Sequence, residues 1–204
     1  MIDNNIKFSI ITVAKGRYKL FEKCIKQMWE FAENPKELEH IIAFDNEDKK
    51  MEAFLQEYKN YYPNFKIEPI AITLPTCPEC NIIHYERRNI HRDYWNPIAR
   101  IANGDVVMGI GNDALVKTKS YDAIILDSVK AHEIKYNHQT FQILIDDGTL
   151  TSDKTDDHYQ RTEGLSENVQ GQFCSWVILT KAAIEVFKGL CPQEITFSGA
   201  DVVV

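Results

Sequence analysis

Apolar residues along the chain fall into two periods: short continuous runs that fit buried strands, and three- or four-residue spacing that fits helices. Residues 8–13 (FSIITV) form an apolar, β-branched run, followed by the polar break Ala14-Lys15-Gly16-Arg17. Over 20–32 the positions Leu20, Phe21, Cys24, Ile25, Met28, Trp29 and Ala32 make one broad helical stripe that ends near Asn34-Pro35. A second buried-type strand is predicted at 40–44 (HIIAF). After it, Met51, Phe54, Leu55 and Tyr58 mark a second amphipathic helix, and a third strand is predicted at 67–72. The order β-α-β-α-β predicts parallel strands joined by right-handed crossovers.

A less regular stretch holding Cys77 and Cys80 follows, then a helical segment over 86–102 interrupted by Pro97. The turn Asn103-Gly104-Asp105 launches a strand at 106–110. Further on, the pattern predicts a helix at 121–130, a strand at 141–145, an acidic loop over 146–168, a strand at 173–179 and a helix at 181–188 closed by Gly189. The expected architecture is one α/β domain over 1–204 with a mostly parallel central sheet flanked by helices.

Composition supports an ordinary globular core, with 44% hydrophobic and 26% charged residues and only 9 Gly and 7 Pro. The net charge of −7, with no stripe of Lys and Arg, argues against nucleic acid as a partner. A small phosphorylated ligand is compatible with an acidic chain, since one or two cations, backbone amides or a divalent ion suffice to hold it. The first 30 residues lack a basic start followed by an apolar stretch, and no segment reaches about 18 consecutive apolar residues, so the expected location is the cytosol without a transmembrane segment. Five cysteines, an odd number, are then expected as reduced thiols.

In an open parallel sheet the ligand crevice lies beyond the carboxyl ends of the strands. Here the predicted strands run into Lys15-Gly16-Arg17, Asp45-Asn46-Glu47-Asp48 and Gly111-Asn112-Asp113, which bring carboxylates, amides and a guanidinium to one edge. Neither GxGxxG nor GxxxxGK[ST] is present, which removes dinucleotide dehydrogenases and P-loop enzymes. Gly109 and Gly111 give a bare GxG, ordinarily explained by a turn that needs a positive φ.

Four strings, FSIITVAKGR, IIAFDNED, WNPIARIANGDVVMGIGNDAL and FSGADVVV, stand in an order and spacing that resembles the GT-A glycosyltransferases, in particular the inverting family 2 and its phage- and virus-like relatives. The resemblance spans nearly the whole chain. It implies a GT-A fold and transfer from a nucleotide diphosphate sugar, most often a UDP-sugar, to an acceptor hydroxyl on a glycan, lipid or protein. By position, it implies that Thr12 and Arg17 line the nucleotide pocket, with Asn112 beside them, and that Asp45 accepts a hydrogen bond from uracil or ribose. Asp113 falls on the last carboxylate of the metal-binding DxD, for Mn²⁺ or Mg²⁺, whereas Gly111 and Asn112 replace its first two positions. His158 falls on a loop where the family places a further metal ligand, and Asp201 on the general base, a role worth ~10²–10⁴ in rate. The chain ends three residues after Asp201, so a supporting tail is expected to be missing.

Simpler readings stand beside these. Asp45 also fits a turn or helix cap, Asp113 a loop acid, Asp201 a solvated acid, Arg17 a surface ion pair and His158 a solvated loop residue. Cys77, Cys80 and His84 have C-x₂-C-x₃-H spacing, half of a zinc site or simply two free thiols near a histidine. Trp29, Trp95 and Trp176 read as packing residues, with Trp95 also able to stack on a sugar. Two other functions fit the pattern: a GT-A domain that binds nucleotide or glycan without turnover, and a sugar-phosphate nucleotidyltransferase, for which AKGRYK is poor in glycine.

Overall fold

The computed structural model describes residues 5–62, 64–70, 94–143 and 177–190. Strand β1 (Phe8–Ala14) leads to helix α1 (Tyr18–Phe31), β2 (Leu38–Asp45), α2 (Lys49–Lys59) and β3 (Phe65–Ile70). Then come α3 (Asn96–Ile101), β4 (Val106–Gly109), α4 (Tyr121–Tyr136), β5 (Gln142–Ile143), β6 (Val177–Thr180) and α5 (Lys181–Phe187). The sheet order is β3-β2-β1-β4-β6-β5. Strands β1 to β4 pair in parallel, while β6 runs antiparallel to β4 and β5 antiparallel to β6. The mostly parallel α/β architecture expected from the sequence is what forms.

Strands β1 and β2 are buried along nearly their whole length because both faces are covered. Phe8, Ile10, Leu38, Ile42 and Phe44 pack with Phe21, Ile25 and Met28 of α1 and Met51 and Leu55 of α2. On the other face Ile11, Ile41, Ala43 and Val107 pack with Ile98 and Ala99 of α3 and Ala183 and Ile184 of α5. Of the predicted stripe of α1, Phe21, Cys24, Ile25, Met28 and Trp29 are buried, whereas Leu20 at its start is exposed and Ala32 just past its end is half-buried.

Several boundaries differ from the sequence pattern for identifiable reasons. Helix α3 begins at Asn96, so Pro97 lies in its first turn, where a missing N–H breaks no helical bond. Helix α4 runs past 130 to Tyr136 and stops where Asn137 turns left-handed at φ 53 and donates its N–H to the Glu133 carbonyl. Its last turns carry no buried residue, so the apolar pattern does not mark them. Strand β3 starts at Phe65, two residues early, and tolerates Pro69 because it is an edge strand.

At the amino edge of the sheet the carboxylate of Glu39 is fully buried and bound from four directions. It accepts from Ser9 Oγ at 2.6 Å, Lys66 Nζ at 2.6 Å, and Asn103 through its backbone N at 2.5 Å and its Nδ2 at 3.1 Å. This network ties β1, β2, β3 and the turn before β4 together. Among the described residues, no helix is long and apolar enough to cross a membrane.

Candidate functional site

The strand order reverses between β1 and β4: the chain steps outward from β1 to β2 and β3, then returns to add β4 on the other side of β1. Such a reversal splays apart the loops that leave the carboxyl ends of the two strands, and ligands of open α/β sheets bind in the crevice between them. The segments after β1 and β4 are therefore the ones that matter.

After β1 the backbone turns left-handed twice in succession, at Gly16 (φ 59) and Arg17 (φ 54). Glycine adopts this conformation freely and arginine does so at a cost, so the bend is held by its surroundings. The Arg17 carbonyl accepts from Leu20 N and Phe21 N, both at 3.0 Å, and α1 starts directly behind it. After β4, Ile110 N still pairs with the Ile11 carbonyl at 3.0 Å, and a turn closed by Ala114 N on the Gly111 carbonyl presents Asn112 and Asp113.

The two segments interlock. Asn112 Nδ2 donates to the carbonyls of Lys15 at 3.2 Å and Gly16 at 3.5 Å, and the Asn112 carbonyl accepts the Cys24 thiol at 3.5 Å. The Arg17 guanidinium is ion-paired with the Asp113 carboxylate, with side chains 61% and 40% exposed, so the pair faces solvent rather than the core. Burial pushes the Cys24 thiol up to about 11, which keeps it protonated.

Asp45 ends β2, on the opposite side of β1 from β4. The end of β2 thus lies two strand spacings, about 10 Å, from β4 across the sheet, and the turn with Asp113 leaves β4 at the same carboxyl edge. Its Oδ1 accepts from Glu47 N at 3.2 Å and its carbonyl from Asp48 N at 2.9 Å, while Asp48 caps α2 through Met51 N at 3.0 Å. The turn role expected for Asp45 is met, and the residue also sits at the carboxyl edge of the sheet.

Thr12 is not brought to that edge. It has the strand parity of Phe8, Ile10 and Ala14, is fully buried, and its hydroxyl lies 2.9 Å from His40 Nε2 in the core under α1. Burial lowers the His40 imidazole to about 3, so it is neutral, and its Nδ1 has no hydrogen-bond partner among the described residues. Gly109 also departs from expectation. It lies in β4 without a positive φ, and its missing side chain makes room for the Trp95 ring, against which an added Cβ would collide, as it would against Leu190 at 2.5 Å. The packing role of Trp95 is met at this strand end. Asp201, His158, Cys77, Cys80 and His84 lie outside the described residues.

The clasp between Asn112 and the Lys15 and Gly16 carbonyls had no sequence signal beyond a glycine next to a strand end. Among the described residues, no three His, Cys, Asp or Glu side chains cluster as a metal site. Asp113 offers one hard oxygen donor, which suits a cation whose other ligands are phosphate oxygens and water, and does not suit a cage made by protein alone. A groove of about 570 Å³ lined by Lys26, Trp29, Glu30, Pro35, Lys36 and Tyr62 lies where α1 and α2 end, at the opposite edge of the sheet from this chemistry.

No family model matches the sequence, and no curated protein matches it. Solved structures do. Residues 1–349 of S. aureus TarS superpose with a TM-score of 0.62 at 12% identity, covering 97% of this chain and 53% of that one. The mannosyltransferase PcManGT from Pyrobaculum calidifontis, solved with GDP-Man and Mn²⁺, gives 0.58 at 14% identity, covering 96% and 49%. This chain spans about half the length of the structures it matches. What it shares with them is the fold, which is that of the GT-A glycosyltransferases.

Proposed function

We propose that this chain transfers a sugar from a nucleotide diphosphate sugar, a UDP-sugar by the sequence resemblance, to an acceptor hydroxyl on a glycan, lipid or protein, with inversion. The observation that carries the reading is the meeting of Arg17, Asn112 and Asp113 where the strand order reverses between β1 and β4 in a GT-A-type sheet. The GDP-Man and Mn²⁺ bound to PcManGT support the donor class and the kind of cation.

In this reading Asp45 accepts a hydrogen bond from the base or ribose, and Arg17 takes the diphosphate, for which a guanidinium offers two parallel donors. Asn112 keeps the two loops in register. Asp113 holds a Mn²⁺ or Mg²⁺ ion that arrives with the donor, and His158 is a further ligand. When bound, that ion supplies positive charge to the departing diphosphate. Asp201 takes the acceptor's proton as the acceptor oxygen attacks the anomeric carbon and the bond to the diphosphate breaks.

Calorimetric titration with UDP, with and without Mn²⁺, tests the donor class. Binding that strengthens with Mn²⁺ is expected, and no heat in either condition would sink the proposal. Consumption of a UDP-sugar should vanish in Asp201→Asn. A domain that binds without turnover is the second reading, favoured by Gly111, which leaves β4 with a single acid at this edge; nucleotide binding with no donor consumption by the unaltered chain would select it.

A further inference from the structure

The ion pair between Arg17 and Asp113 joins two residues to which the proposed function assigns different ligands, and that conflict has a physical consequence. With the guanidinium on it, the Asp113 carboxylate is already neutralised, so a free divalent cation must displace a positive group to reach it. We propose that Arg17 is a switch between Asp113 and the donor diphosphate, so that Asp113 binds a divalent cation more tightly once a nucleotide diphosphate has drawn Arg17 away. The inference rests on the reading of this edge as a nucleotide-diphosphate site.

Three observations carry it. Both side chains are well exposed, and an exposed ion pair contributes little, so the partner is easily exchanged. A diphosphate carries more negative charge than one carboxylate and accepts a guanidinium bidentately, so it wins the competition. The loops need not open for the exchange, because the Asn112 amide holds the Lys15 and Gly16 carbonyls independently of any charge. Arg17 alone then moves, from a backbone position fixed at φ 54 at the head of α1. Each ligand must raise the affinity of the other by the same factor, since linkage between two binding sites is reciprocal.

The test is binding, measured on the full chain by calorimetry with Mn²⁺ alone, UDP alone and the two together. In Arg17→Met, Mn²⁺ alone should bind about two- to five-fold tighter, the size expected of one exposed ion pair, while UDP alone binds weaker. The mutual enhancement of UDP and Mn²⁺ should shrink. Arg17→Gly suits the left-handed backbone and should behave the same, which guards against a misfolded variant. In an Asp113→Asn background, Arg17→Met should leave Mn²⁺ binding unchanged. Lys19→Met removes an exposed charge from the same helix turn and should not reproduce the gain. An unchanged or weaker affinity for Mn²⁺ in both Arg17 variants, or an equal gain in Lys19→Met, overturns the switch while UDP binding by the unaltered chain leaves the proposed function standing. Failure of the unaltered chain to bind UDP at all overturns both.

Discussion

Lowering the pH from 7 to 5 should weaken this fold from inside the sheet, at His40. The residue stands in the buried strand β2, edge-on to Phe65 at 5.6 Å between ring centroids, with Nε2 on the Thr12 hydroxyl and Nδ1 without a hydrogen-bond partner among the described residues. Burial disfavours a charged imidazole there and lowers its pKa from 6.5 to about 3. The folded state therefore resists a proton that the unfolded chain accepts. Stability is complete above the unfolded value of 6.5 and is lost as pH falls toward the folded value. At pH 5 the unfolded chain gains RT ln(1 + 10^1.5), about 2 kcal/mol, and at pH 7 only about 0.2 kcal/mol. With a urea m-value of about 2 kcal/mol per molar, the midpoint should move down by roughly 1 M between the two pH values. Glu39 does not confuse this window, because its carboxyl is held below the ordinary value of 4.5. Urea unfolding of the chain and of His40→Gln at both pH values is the assay. Loss of much less than 1 kcal/mol in the unaltered chain, or the same pH slope in His40→Gln, would refute the reasoning.

Burial alone would raise the Glu39 carboxyl, but hydrogen bonds from Lys66, Ser9 and the Asn103 amide outweigh it and leave it lowered. Its contribution is thus present above the unfolded carboxylate range and lost as pH falls through the folded value, and Glu39→Ala, which leaves the buried Ser9 hydroxyl without its acceptor and releases Lys66 and Asn103, should cost about 1–3 kcal/mol in thermal unfolding. Gly104→Ala should destabilise by about 1–3 kcal/mol or more, since the new Cβ would lie 2.6 Å from Ser9 N and 2.9 Å from the Phe8 carbonyl carbon, atoms that no side-chain rotation can move; an unchanged melting temperature would contradict the packing. Asn112→Ala removes the clasp between the two loops at the ligand edge and should weaken UDP binding about ten-fold while shifting the melting temperature little; equal UDP affinity would show that the clasp does not organise the site.

The first half of the fold was legible because each element has a clear period and a clear stop. Helix α1 buries five of the predicted residues, Phe21 to Trp29, and β1 and β2 read as strands buried on both faces. That same double burial hid which way Thr12 points. Its alternation with Phe8 and Ile10 points it into the core, whereas the pocket role was implied by the family resemblance alone. The far end of α4 was not legible because 130–136 bury nothing, and the antiparallel return of β6 cannot be read from a run that would suit either direction. Asp45, Asn112 and Asp113 were legible as edge residues from the strands that precede them. The Arg17–Asp113 pair was not, since its members stand 96 positions apart and meet only because β4 is inserted beside β1. Gly109 shows a glycine required by a neighbouring ring, which no turn pattern predicts.

The most direct test of the central claim is a crystal structure of the full chain with UDP and Mn²⁺. The diphosphate should lie between the ends of β1 and β4, within hydrogen-bonding reach of the Arg17 guanidinium, with Asp113 facing the ion. A nucleotide seated in the groove of Trp29 and Tyr62 at the other edge, or density nowhere along the β1–β4 crevice, would contradict it.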